Sequence, residues 1–232
     1  MEQSSQERQK SFIAHIARKL GRTEPLKKAP LHLHRGAPDF WREHDLSKEE
    51  RVQQFVTNWR NAGGEVEHLP DMDTAKKYIV DLLIKMKARH VLRQNELEWE
   101  QMQLEEALPH IKFAVWDENS SSEQRLADAA GADVGLAVAD HAVSVTGSIV
   151  FTSSANRGRS VTLLPTALVA LIPVNALHTR IGHVTDWIEA QDKKSLPAGI
   201  HFVSGPSRSA DIENDLTIGV HGPGVVYALV IG

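Results

Sequence analysis

From Ser47 onward the apolar residues switch repeatedly between a helical and a strand-like period, and this alternation limits the fold more than any other feature. Val52, Phe55, Val56 and Trp59 stand at i, i+3, i+4 and i+7, one face of a helix. Ser47 and Glu50 precede them as a capping box, and Gly63-Gly64 stops the run. "EVEHL" then reads as a strand. Asp73 is placed to cap a second helix whose apolar face is Ile79, Leu82, Leu83 and Met86. "HVLR", "ELEWEQMQLEEAL", "IKFAVW" and "SSEQRLADAAGA" continue as strand, helix, strand, helix. Strands separated by helices predict an α/β fold with an open, mostly parallel sheet covered by helices.

After Gly131 the texture changes. "VGLAVADHAVSVTGSIVFTSS", "SVTLLPTALVALIPVNAL", "GIHFVSG", "LTIGV" and "VVYALVIG" are apolar, β-branched and broken by Gly or Pro, as buried strands are. Only "GHVTDWIEAQDKK" reads as a helix, so the C-terminal half is strand-dense. Residues 1–46 form an N-terminal arm. Phe12, Ile13, Ile16, Ala17 and Leu20 fall at helical spacing before Gly21, and a proline-containing extended stretch follows. Residues 47–232 form the main domain. The arm's apolar face needs a surface to pack on, which the chain's own body, a partner subunit or a second copy could supply.

Composition removes several function classes. The chain has no cysteine, so it can form no disulfide, offer no thiolate nucleophile and ligate no zinc or iron–sulfur cluster through sulfur. A formal charge of -4 disfavours nucleic acid as a partner. No apolar run approaches the roughly 20 residues of a membrane span, and the N-terminus lacks a secretory pattern. The expected location is the cytoplasm. His32 and His34 in "LHLH" would share one face if extended, but without a third ligand at a set spacing no metal site is expected.

Three loops rich in Gly and Ser carry the groups suited to chemistry. In "TGS", Gly147 lets a backbone approach closely, between the hydroxyls of Thr146 and Ser148. "SSANRGRS" follows. It reads most simply as a hairpin turn, but Arg157 and Arg159, either side of Gly158, could also present a bidentate guanidinium to a carboxylate or phosphate, Arg159 above all. In "SGPSRSADIE", Ser204, Gly205, Pro206, Ser207 and Arg208 end a strand and start a helical turn, with Asp211 and Glu213 beyond. "GVHGPG" places Gly219, His221, Gly222 and Pro223 in a turn where small neighbours crowd the imidazole. The alternative readings are capping, a solvated ion pair and a plain turn. If the loops converge, the expected place is the carboxyl edge of the sheet, where α/β proteins bind ligands. None matches a P-loop, a dinucleotide fingerprint, a nucleophile elbow or a zinc motif.

"TGSIVF", "GRSVTLLPTALVALIP", "SGPSRSADIE" and "GVHGP", in that order, resemble the lactate-utilisation (LUD) domain family, most of all its lactate utilization C group. The resemblance covers about residues 47–232. It implies a Rossmann-like sheet of the sugar-isomerase/CoA-transferase (NagB/RpiA/CoA-transferase-like) kind. It also implies a part in oxidising L-lactate to pyruvate beside partner proteins that carry iron–sulfur clusters. On the family motif, Thr146, Gly147, Gly158, Arg159, Ser204–Arg208, Asp211, Glu213, Gly219 and His221–Pro223 become site candidates.

The leading expectation is a component of a lactate-oxidising system that does not act alone and holds no cofactor of its own. Arg208 or Arg159 would pair the substrate carboxylate, and His221, Asp211 or Glu213 would take the hydroxyl proton. Two rivals stand beside it: a non-catalytic assembly or regulatory ligand-binding subunit, and an acyl-CoA- or phosphosugar-handling enzyme of the same fold.

Overall fold

A computed structural model describes residues 5–26, 28, 45–210 and 216–232. The described residues fall into two units, divided between Asp45 and Leu46. Asp211, Glu213, His32 and His34 lie outside the described residues.

In the first unit, helix α1 (Ser5–Lys19) ends as its sequence predicts. Gly21 takes a left-handed φ of 69°, and the Arg22 amide closes back on the Ala17 carbonyl. Phe12, Ile13, Ile16 and Leu20 are exposed on this helix, and Ala17 is buried.

The second unit opens with α2 (Lys48–Asn61). Both halves of the capping box form: Glu50 N–H donates to Ser47 Oγ, and the Ser47 amide donates to Glu50 Oε2. Then come β1 (Glu65–Leu69), α3 (Met72–Lys85), β2 (His90–Arg93), α4 (Leu97–Met102), α5 (Leu104–Ala107), β3 (Lys112–Val115), α6 (Ser122–Gly131) and β4 (Val134–Val138). Asp71, not Asp73, caps α3. Its carboxylate accepts from the Thr74 amide at 2.7 Å, which leaves Asp73 in the first turn.

The stretch expected as one helix after β2 is two. Gln103 adopts φ 48°, ψ 47° and breaks it. Met102 and Leu104 would stand about 200° apart on a straight helix. The left-handed break turns both into the same core as Trp99 and Leu108.

The strand-dense half contains β5 (His141–Val143), β6 (Ser148–Thr152), a short helix α7 (Arg159–Leu163), β7 (Ala167–Pro173), β8 (Leu177–His178), α8 (Ile181–Ala190), β9 (Ile200–Val203), β10 (Arg208–Ala210), β11 (Leu216–Ile218) and β12 (Val225–Ile231). Two local expectations are corrected. "SSANRGRS" is a strand-to-helix turn rather than a hairpin, with Gly158 capping α7. Residues after Pro206 form strand β10, paired antiparallel with β11, rather than a helical turn.

Six strands make a wholly parallel sheet in the order β1-β12-β7-β4-β2-β3. One face packs α3, α4 and α5 through Ile79, Leu83, Trp99 and Leu104. The other carries α2 through Phe55 and Trp59, together with a second sheet ordered β8-β5-β6-β9. The helix α8 covers the outer side of that second sheet through Val184 and Ile188.

The strand order fixes where the chain reverses. From β2 it runs outward to β3 at the sheet edge, then returns past β2 to β4 and continues through β7 to β12. Right-handed crossovers then require the connections to change faces. They do: α4 and α5 lie on one face, while α6, α7 and the second sheet lie on the other. The chains leaving β2 and β4 therefore part in opposite directions, and a crevice at their carboxyl ends is the expected ligand position.

Candidate functional site

The residues that follow β2 and β4 meet at this reversal. Gln94 is almost fully buried, and its Oε1 accepts from the Val138 amide at 2.8 Å. Glu96 stands after β2, and Asp140 after β4. Arg157, from the β6–α7 turn, donates through Nε to Glu96 and through Nη1 to Asp140. The other Asp140 oxygen accepts from Thr152, from its amide at 2.7 Å and its hydroxyl at 3.0 Å. One guanidinium thus ties the ends of two central strands together. The bond to Glu96 first, and the charge of Asp140 with it, raise the Arg157 pKa further, against the effect of burial.

Beside this clamp lies a second polar group. Arg159 is exposed and has no ion pair among the described residues. Ser153 Oγ and His201 Nδ1 are buried without a hydrogen-bond partner. Buried polar atoms are nearly always paired, so both atoms are open to a water or a ligand group. His201 Nε2 lies 2.8 Å from Thr162 Oγ1, and its ring stacks on Phe151 with centroids 5.5 Å apart. Burial lowers the His201 pKa below the ordinary imidazole value, and the Arg159 charge lowers it further.

Of the residues singled out from sequence, Arg157, Gly158 and Arg159 belong to this carboxyl-edge cluster. The others gather elsewhere. Ser148 Oγ and Ser204 Oγ are 2.7 Å apart. Gly147 packs on Asn58 and Trp59 of α2, next to Thr146 in the β5–β6 turn. Gly205 has φ +94°, and a Cβ there would stand 2.8 Å from the Ala62 carbonyl oxygen. Arg208 Nη2 donates to that same carbonyl. The Ser207 amide donates to Pro223 O, and the Gly224 amide to Thr166 O. Gly222 lies against Ser207, and Gly219 against Gly224, with Pro206 and the exposed His221 in the same two loops.

Thr166 and Gly224 immediately precede β7 and β12. These loops therefore stand at the amino edge of the main sheet, docked on the end of α2. The expected convergence of all three loops at the carboxyl edge is not what the fold produces.

Sequence reasoning passed over Glu96, Asp140, Ser153 and His201 as site residues. The available signal was polarity directly after a buried strand: "QNE" after "HVLR", and Asp140 after "GLAVA". Among the described residues no group of three or more His, Asp or Glu could hold a metal ion, and no helix is long and apolar enough to cross a membrane.

The family model described as LUD domain matches residues 52–231. The chain belongs to the LUD domain family. This LUD chain is similar to the lactate utilization protein C of Halalkalibacterium halodurans, 33% identical over 94% of each chain. It is also similar to that of Shouchella clausii, 31% identical over 92% of this chain and 93% of the other. Among solved structures, a DUF162 family protein from Deinococcus radiodurans superposes with a TM-score of 0.58 at 20% identity, covering 81% of this LUD chain and 99% of that one. At that identity the likeness concerns the fold.

Proposed function

We propose that this LUD chain works in lactate utilisation, as a cytoplasmic component of a system that oxidises L-lactate to pyruvate with iron–sulfur partner proteins. The observation that carries the reading is its 33% identity, over 94% of both lengths, to a relative named lactate utilization protein C. Converting lactate to pyruvate releases two electrons and two protons. Clusters that accept the electrons need thiolate ligands in most designs, and this chain has no cysteine. The clusters therefore sit on the partners, and this chain supplies binding and orientation. The carboxyl-edge cluster around Arg159 is the place for the substrate carboxylate, because Arg208 is occupied by the Ala62 carbonyl.

The test is L-lactate-dependent dye reduction in an extract of cells lacking only this chain. Restored reduction on adding the purified chain supports the reading. Equal reduction with and without it removes the chain from the oxidation. A second reading, an assembly subunit, is favoured by the exposed apolar residues Phe12, Ile13, Ile16 and Leu20 of α1. Removing residues 1–45 then abolishes co-purification of the partners while leaving small-molecule binding intact.

A further inference from the structure

Both hydrogen bonds of Thr162 Oγ1 form together only when His201 Nε2 carries the proton. Thr162 Oγ1 donates its hydrogen to the Arg159 carbonyl oxygen at 3.0 Å. Toward His201 Nε2, at 2.8 Å, the same oxygen can then only accept. Nε2 is therefore the protonated nitrogen. Burial and the nearby Arg159 charge both favour the neutral ring. In a neutral ring with hydrogen on Nε2, Nδ1 is a bare lone pair, and here it is buried with no donor in reach. This atom can accept from a water, a hydroxyl or an N–H group.

The neighbouring groups suit an anion. Gly199 faces Arg159 and Ser153: a Cβ on it would lie 2.9 Å from Arg159 Cδ, 3.4 Å from Arg159 Nε and 3.4 Å from Ser153 Oγ. With no side chain at Gly199, the Arg159 side chain lies over it beside Ser153 Oγ, so the guanidinium and the unpartnered hydroxyl line one cradle. His201 is two residues further along β9, so it points to the same side of the strand as Gly199. Asp140 and Glu96 are already engaged by Arg157 and Thr152. They leave Arg159 for an outside partner. Arg159 is exposed and its side chain is long and flexible, so it can move to admit a ligand.

We infer that Arg159, Ser153 and His201 form a binding site for a 2-hydroxycarboxylate. Arg159 and Ser153 take the carboxylate, and His201 Nδ1 accepts the hydrogen of the C2 hydroxyl. This rests on the reading that the chain handles lactate and deepens it by assigning the hydroxyl to a named atom. The carboxylate alone would be satisfied by any short acid. The hydroxyl is what separates L-lactate from propionate, which lacks it, and from pyruvate, whose carbonyl brings a second acceptor to a lone pair. Leaving a buried acceptor unpaired is the costlier alternative, so the site discriminates on this group.

The test is calorimetric titration of the purified full chain with L-lactate, propionate and pyruvate. L-lactate is expected to bind about tenfold or more tightly than the other two. In His201→Phe the ring keeps its place on Phe151, but no acceptor stands at the Nδ1 position. The preference should then fall to about onefold. Arg159→Ala, on the surface, should weaken all three acids together. Equal affinities in the unaltered chain, no saturable binding, or a preference that survives in a folded His201→Phe chain each overturn the inference. The proposed function fails separately, by unaltered lactate-dependent dye reduction without the chain. If the chain is required for that reduction yet shows no hydroxyl preference, the reading stands and the assignment to His201 falls.

Discussion

Arg208 Nη2 donates to the carbonyl oxygen of Ala62, closing the Ser204–Arg208 loop onto the C-terminal end of α2. Four carbonyls at a helix end lack intrahelical partners, and a guanidinium is a good group to satisfy one. Arg208→Ala is therefore expected to lower stability by about 1 kcal/mol, an exposed charge-to-carbonyl bond being worth no more than that. Lactate binding should be unchanged. Denaturant unfolding and calorimetry on the same sample check both, and lost binding with full stability would place Arg208 in the site.

Arg157 carries a larger expectation. Its side chain is 20% exposed, and those of Glu96 and Asp140 are 20% and 18% exposed. Removing the cation leaves two half-buried carboxylates facing each other. Arg157→Ala should cost about 2–3 kcal/mol, less than a fully buried pair loses because solvent reaches part of the cluster. Arg157→Lys should recover only a fraction, since one ammonium cannot reproduce the forked Nε and Nη1 bonds. Urea midpoints of the three proteins decide it.

Two glycines separate strain from site chemistry. Gly205→Ala meets the backbone oxygen of Ala62 at 2.8 Å and must adopt φ +94°, so a loss of about 2 kcal/mol or more is expected. Gly199→Ala meets the flexible Arg159 Cδ at 2.9 Å instead. It should leave the melting temperature nearly unchanged and weaken lactate binding by filling the cradle. A Gly199→Ala chain that binds normally would place the ligand elsewhere.

Stability should fall on mild acidification. Burial holds His141 and His201 below the ordinary imidazole value of 6.5, with Asp140 opposing it at both and Arg159 reinforcing it at His201. The unfolded chain then binds these protons at a higher pH than the folded one. Their contribution is complete above the unfolded value and is lost as pH drops below 6.5 through the folded values. Urea midpoints measured from neutral pH down to about pH 5.5 should decline, and His201→Gln should remove part of that slope. A second loss follows at lower pH. The Arg89 and His90 amides, at 2.7 and 3.0 Å, outweigh the burial of Asp133 and hold its pKa below 3.8. That contribution disappears as pH falls through the depressed value.

Much of the architecture was legible because it is written locally. The capping box of Ser47 and Glu50, the left-handed Gly21 and the period of Val52, Phe55 and Trp59 act within a turn or two of chain. The helix–strand alternation and the absence of cysteine likewise needed no coordinates to bound the fold class and the chemistry. The Gly- and Ser-rich loops were also visible as motifs, as was their likeness to the LUD family.

Tertiary structure decided which edge of the sheet each loop occupies. Residues 204–208 and 219–224 end at the amino edge because β9 belongs to the second sheet and the turn before β12 closes on Thr166. Nothing in a residue's neighbours along the chain encodes that. The same holds for the clamp. Glu96, Asp140 and Arg157 are spread over more than sixty positions, with 61 between Arg157 and Glu96 alone. They meet only because strand order reverses between β2 and β4. Sequence set the period, the caps and the available groups, since these depend on short-range sterics and hydrogen bonds. Long-range strand pairing set the site, since it alone brings distant side chains within bonding distance.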